Sequence, residues 1–174
     1  MTMGFFRKLF GHDGTPSTPA TSMPAPSPAP APRRVSYDPN LIQSMLNDHA
    51  QLGQIFSRVG DAQKAGTYSE IRPLLIQFKS RLEAHVLTEN VRFYTYLEQS
   101  LAGDPSNAAV MHDFRREMNA IARGVVDFVK KYQACGFAPE QRREFADDYA
   151  AVGKLLEQRL DNEETNLYPL YTLN

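Results

Sequence analysis

Proline placement constrains this 174-residue chain more than any other feature. Seven of its twelve prolines fall within residues 15–34, TPSTPATSMPAPSPAPAPRR, where the remainder is mostly Ala, Ser and Thr. Each proline removes a backbone donor and fixes φ, and the segment has too little apolar mass to join a core. It is expected to be an extended, partly polyproline-II spacer. The chain therefore divides into a short head at 1–12, a disordered Pro/Ala/Ser-rich linker at 13–35 and a folding body at 36–174. The other five prolines, Pro39, Pro73, Pro105, Pro139 and Pro169, lie inside the body. A helix tolerates proline in its first turn or just past its end, so these positions mark boundaries.

Apolar periodicity between the boundaries predicts four helices. The first opens at YDPNLI, with Asp38 as N-cap and Pro39 at the first helical position. Leu41, Met45, Leu46, Leu52, Ile55, Phe56 and Val59 form its inward face, and the Gly60–Gly66 region ends it. The second starts near Ser69, with Pro73 in its first turn, and runs to about Leu101, where GDPSN breaks the chain. The third, capped by Asp104 or Ser106, runs to Cys135 with Gly136 as its stop. The fourth spans Pro139 to Pro169. Alternating β-branched runs and Asn-Gly hairpins are absent. Four helices with short connections predict an all-α, antiparallel up-down four-helix bundle, expected to work as a monomer or weak oligomer.

The charge balance of 19 basic and 20 acidic side chains, net −1, gives no footprint for nucleic acid. The single cysteine, Cys135, excludes an internal disulfide and a Cys-rich zinc site and fits a reducing cytoplasm. No apolar run reaches the ~20 residues a membrane span needs. The start MTMGFFRKLFG has two basic residues but no long apolar stretch after them, so no secretory signal is expected. A helical head would carry Phe6, Leu9 and Phe10 on one face, Phe5 beside them and Arg7 and Lys8 elsewhere. That is a small amphipathic anchor for a protein partner or a membrane surface, although alone it is too short to be a stable helix. The chain implies no Ser–His–acid set and no glycine-rich phosphate loop.

The two halves of the body can be laid over each other. NDHAQL of the first helix matches REMNAI of the third, with His49 over Met118. RLEAHVLTENVRFYTY of the second matches LLEQRLDNEETNLYPL of the fourth, with His85 over Arg159, Glu89 over Glu163, Asn90 over Glu164, Phe93 over Leu167 and Tyr94 over Tyr168. Two hairpins related by a pseudo-twofold would bring these positions to one central point. His49, His85, Glu89 and Glu163 then face the bundle interior. A lone histidine on an apolar face is ordinarily a bonded core residue, but two buried carboxylates need more compensation than neutral imidazoles give. A divalent cation supplies it, and two His with one or two carboxylates suit non-haem iron, and also manganese or zinc. Tyr94 and Tyr168 read as core or boundary residues with bonded hydroxyls; Phe93, Leu167, Phe114 and Phe128 read as core.

NDHAQL, HVLTENVRFY and RLDNEETNLYP resemble the hemerythrin-like, or HHE cation-binding, domains over residues 40–171. The resemblance implies a four-helix bundle that holds two irons bridged by carboxylates and capped by histidines. It implies His49 and His85 as caps of the first iron, Glu89 and Glu163 as bridges, and a role in binding or sensing oxygen or other oxidants, or in handling iron. The chain departs from the family at the second iron: Met118 and Phe114 stand at its third-helix positions and Arg159 at its fourth-helix histidine. His112 lies about 120° away from the ligand face at ~100° per residue and cannot substitute. Arg159, one turn before Glu163, is placed to stand in for the missing cation, with Met118 filling the volume of the lost imidazole. The expectation is half a di-iron site with an internal salt bridge in the other half. It corresponds to a cytoplasmic single-iron sensor or regulator without an enzymatic role, peripheral at a membrane or tethered to a partner. The competing expectation is a metal-free adaptor that binds a partner or membrane surface through head and bundle.

Overall fold

The computed structural model describes residues 34–103 and 105–173, which form an all-α fold with no strand among them. Phe5, Phe6, Leu9 and Phe10 of the head, the linker up to Arg33, and the candidate cap Asp104 lie outside the described residues. The elements are α1 (Leu41–Ala65), α2 (Tyr68–Thr88), a π-helical turn (Glu89–Tyr94), α3 (Thr95–Ser100), α4 (Pro105–Gln133), α5 (Pro139–Asn162), a second π-helical turn (Glu163–Leu167) and a closing 3-10 turn (Tyr168–Leu170). The first π turn joins α2 to α3 without a break and the second extends α5, so the pieces make four rods. Their packing closes a ring, α1 on α2, α2 on α4, α4 on α5 and α5 on α1.

The core layers establish the antiparallel order. At one end the C-terminal residues Val59 and Ala62 of α1 pack with Ile71 and Leu74 from the start of α2, Phe128 and Tyr132 from the end of α4, and Phe145 from the start of α5. At the other end Leu41 and Met45 meet Phe93, Tyr94 and Leu97, Met111 of α4, and Leu167 and Tyr171. A middle layer holds Leu52, Ile55, Phe78, Leu82, Met118 and Leu156. Neighbouring rods thus run in opposite directions, as short connections require.

Several boundaries differ from the sequence expectation. α1 starts at Leu41, because Asp38 closes a turn instead of capping the helix: its carboxylate accepts from Asn40 N at 2.9 Å and its carbonyl from Leu41 N at 3.1 Å. Gly60 continues α1, and Gly66, at φ +74°, ends it. α2 begins at Tyr68, so Pro73 falls past the first turn. The N–H that proline lacks would have bonded Ser69, and both residues are exposed, so the freed carbonyl lies where solvent can reach it. After α4 the left-handed residue is Phe137, at φ +53°, and not Gly136. Phe137 adopts this conformation with its ring buried among Tyr132 and Phe145.

Both π turns begin at a glutamate of the predicted constellation, Glu89 and Glu163. A π turn inserts one residue and re-aims the side chains after it. Here that lets Phe93, Tyr94, Tyr96 and Leu97 all reach the interior. The carbonyl of Asn90 accepts from Thr95 Oγ1 at 3.0 Å and from Arg115 Nη2 at 3.3 Å. Arg115 also bonds Asn90 Oδ1 and Glu98, which clamps the first π turn to α4.

α1 approaches α5 closely at Gly60, where a methyl group would lie 2.5 Å from Tyr149 Oη. That hydroxyl donates to Phe56 O at 2.9 Å, so it cannot simply swing away. Gly60→Ala is expected to cost about 1–3 kcal/mol by overpacking. Gly53→Ala, on the same helix with nothing within 4 Å of the added carbon, should be neutral or stabilise by up to ~1 kcal/mol. Urea denaturation of the two variants checks the contrast; equal effects would remove the packing role of Gly60.

Candidate metal centre

Between the middle and lower core layers, where an all-apolar bundle would place leucines, five polar side chains are buried: His49, His85, Glu89, Arg159 and Glu163. They come from three rods. Leu52 and Met45 flank His49 on the buried stripe of α1, and Leu82 precedes His85 on that of α2, so the periodicity that buries the leucines also buries the imidazoles.

His49, His85 and Glu163 each bring one donor atom to a common point, all within 4.8 Å of one another. His49 Nε2 lies 3.2 Å from His85 Nε2, 3.3 Å from Glu163 Oε2 and 3.0 Å from Tyr168 Oη. One ring nitrogen cannot serve three polar neighbours with a single proton. Donors bound at ~2.1 Å to one cation lie about 3.0–3.4 Å apart in octahedral or tetrahedral arrangements, which is the spacing seen. Glu163 Oε2 and both oxygens of Glu89 are buried without a hydrogen-bond partner. Such orphaned carboxylate oxygens are costly unless a cation compensates them. The donor set therefore fits a divalent first-row metal.

Carboxylates that the sequence reading did not single out as site residues stand behind both histidines, but only the one behind His49 is within hydrogen-bond reach, and His85 Nδ1 is buried without a hydrogen-bond partner. His49 Nδ1 is 2.7 Å from Glu164 Oε1. His85 Nδ1 faces Asp48 Oδ2 at 3.8 Å, and Asp48 is paired in turn with Arg81. A carboxylate behind an imidazole fixes its tautomer and aims the other nitrogen inward. The signal lay in spacing: Asp48 adjoins His49, and Glu164 adjoins Glu163 on a turn whose extra residue brings both carboxylates towards the histidine.

Glu89 is fully buried but stands outside the three-donor group. Burial, then the charge of Glu163, pushes its carboxyl well above the usual range, which favours the protonated form. Burial works against the Glu163 carboxylate too, but the His49 imidazole 3.3 Å away and the charge of Arg159 keep it below the usual value. For His49, bonds to Glu163 and Glu164 outweigh burial and raise the imidazole pKa. Burial, reinforced by His49, lowers His85 to about 4.

The other half of the centre holds the internal cation that Arg159 was expected to provide. Its Nε donates to Glu163 Oε1 at 2.7 Å and its Nη2 to Tyr94 Oη at 2.7 Å, and the guanidinium lies 5.5 Å from the Phe114 ring centre. Met118 is buried in the apolar middle layer. His112 points to solvent with its side chain 70% exposed, as its helical phase requires. Tyr94 and Tyr168, read as core or boundary residues, are buried with both hydroxyls turned into this centre.

A ring of four antiparallel rods with a buried His/Glu cluster defines a four-helix-bundle cation-binding domain. The family described as hemerythrin HHE cation binding domain matches residues 40–171, and the chain belongs to that family. No curated protein and no solved structure matches it.

Two outcomes follow from these contacts. Arg159→Ala leaves Glu163 buried without its partner and should destabilise by about 3–5 kcal/mol in chemical denaturation; a cost near 0–1 kcal/mol would mean the ion pair is not formed in solution. The second concerns His85. The unfolded imidazole takes a proton near 6.5 and the folded one only near 4, so its stability contribution is present above 6.5 and lost as pH falls to 4. The loss is on the order of 3 kcal/mol. Denaturation curves of His85→Gln between these pH values should be flatter than those of the parent, and parallel curves would contradict the assignment.

Proposed function

We propose that this hemerythrin-like domain is a single-metal iron protein that reports oxygen or another small oxidant to a partner. The observation that carries the reading is the convergence of donor atoms of His49, His85 and Glu163 within 4.8 Å of one another, with His49 Nε2 3.2 Å from His85 Nε2 and 3.3 Å from Glu163 Oε2, in a buried site. Iron there would supply a redox-active centre for small oxidants, and manganese or zinc suits the same donors. His49, His85 and Glu163 would hold the ion, with the buried carboxyl of Glu89 as a fourth donor on losing its proton. Glu164 orients the His49 imidazole, and Asp48 lies behind that of His85 at 3.8 Å. Arg159 supports one metal rather than two, because its guanidinium already neutralises the far oxygen of Glu163.

The head residues Phe5, Phe6, Leu9 and Phe10 are assigned to contact with a protein partner or membrane surface, across the proline-rich spacer. Among the described residues no helix is long and apolar enough to cross a membrane.

A second reading is favoured by the charges at the centre. Arg159 and the His49 imidazole, whose hold on a proton is strengthened by Glu163 and Glu164, face those carboxylates while burial favours the neutral forms of Glu89 and His85, so the bundle can stand without metal as an adaptor. Metal content separates the readings. After anaerobic loading with Fe(II), the parent should hold about one iron per chain, and His85→Ala should lose far more than His112→Ala. The double variant Met118→His, Arg159→His should rise towards two irons and gain near-ultraviolet charge-transfer bands on oxidation. Removing residues 1–12 should leave iron content unchanged and abolish partner capture. Metal well below one per chain with Fe(II), Mn(II) and Zn(II) alike would leave the adaptor reading.

A further inference from the structure

A cavity of about 410 Å³ opens between α1 and α5 and reaches Met118 and Arg159, beside the metal centre. Its walls are Leu52, Phe56, Phe78, Leu82, Met118 and Leu156. At its mouth stand Gly53 of α1 and the acidic side chains Glu157, Asp161 and Glu164 of the fourth rod.

Three features here work against stability, and none is explained by packing. An apolar cavity of this size forfeits contacts that larger side chains would make. Gly53 is a mid-helix glycine whose added carbon would meet no atom within 4 Å, so no close approach calls for it. Gly153 differs, because Phe56 lies 3.0 Å from its added carbon. Glu157 and Asp161 place like charges one turn apart on the exposed edge of α5, and neither has an ion-pair partner among the described residues. Elements that cost stability together around one opening indicate a site kept for a ligand.

The lining selects the ligand. The volume lies within the ~300–1,000 Å³ typical of small-molecule pockets, and the walls call for an apolar body. An anionic head is disfavoured by the carboxylates of Glu157, Asp161 and Glu164 at the mouth; the one basic lining residue, Arg159, bonds Glu163 and Tyr94 through Nε and Nη2, and its Nη1 lies 3.7 Å from Glu117. Glu164 is committed to His49, which leaves the carboxylates of Glu157 and Asp161 to receive a cation. We propose that this cavity binds a small amphipathic amine, with its apolar body between α1 and α5 and its ammonium at Glu157 and Asp161. The site uses none of the three metal donors and stands whether or not metal is bound.

Calorimetric titration of the full chain with octylamine, octan-1-ol and octanoate shares one tail among three head charges. Octylamine should bind about fivefold more tightly than octanol, the upper increment of one ion pair at a part-exposed site, and octanoate should give no binding at the same concentrations. Gly53→Leu, which fills the mouth, should abolish octylamine binding without loss of helical signal. Glu157→Gln with Asp161→Asn should reduce octylamine to the octanol level while leaving octanol unchanged. The proposal is overturned by octylamine no tighter than octanol, by octanoate binding as well as the amine, or by octylamine binding that survives in a folded Gly53→Leu chain. Should that variant fail to fold, the double carboxamide variant decides alone, and an unaltered amine preference in it overturns the site.

Discussion

The Glu163 carboxylate is the joint on which the interior depends. It is fully buried at the start of a π turn, and its two oxygens face opposite halves of the bundle. Oε1 accepts from Arg159, which also donates to Tyr94 across the core, while Oε2 faces His49 of α1. One side chain thus links the last rod to the first and to the second. A buried carboxylate tolerates this position only because cationic or proton-bearing groups meet it on both sides.

The π turns explain how two helices deliver carboxylates and aromatics to one level. Each begins at its glutamate and ends on core residues, with Tyr94 or Tyr168 turning a hydroxyl inward. Their equivalent placement agrees with the internal duplication read from the sequence. It also shows where the two halves have diverged. His85 occupies in one half the place that Arg159 takes in the other, an imidazole that can accept a cation against a guanidinium that is one.

The rods and their inward faces were legible because they rest on periodicity: Leu41, Met45, Leu52, Ile55 and Val59 are buried as the spacing requires. The Arg159–Glu163 pair was legible from a separation of one turn, and His112 was excluded by phase. Helix ends were less so. Asp38 has the right chemistry for a cap yet bonds Asn40 within a turn, and a freed carbonyl facing water made Pro73 cheaper than its sequence suggested. The π turns carried no local signature, because Glu89, Phe93, Tyr94 and Leu97 stand at spacings that a regular helix also gives. Glu164 escaped notice for that reason: with regular helical geometry it points about 100° from Glu163, and the wider turn brings both to His49.

The charges around the centre make proton exchange the natural currency of the proposed metal binding. Without metal, Arg159 and protonated His49 balance Glu163 and Glu164. A dication added to this set would leave two uncompensated charges in a buried site. Releasing a proton from His49 and one from Glu89 restores neutrality; the neighbouring carboxylates raise the proton affinity of His49 against its burial, and burial with the charge of Glu163 raises that of Glu89. The same release frees the His49 nitrogen and the Glu89 oxygens as donors, since metal ligands must be deprotonated. Arg159, whose guanidinium cannot be deprotonated in this range, takes no part in the exchange. It therefore holds its half of the centre whether or not the other half carries an ion.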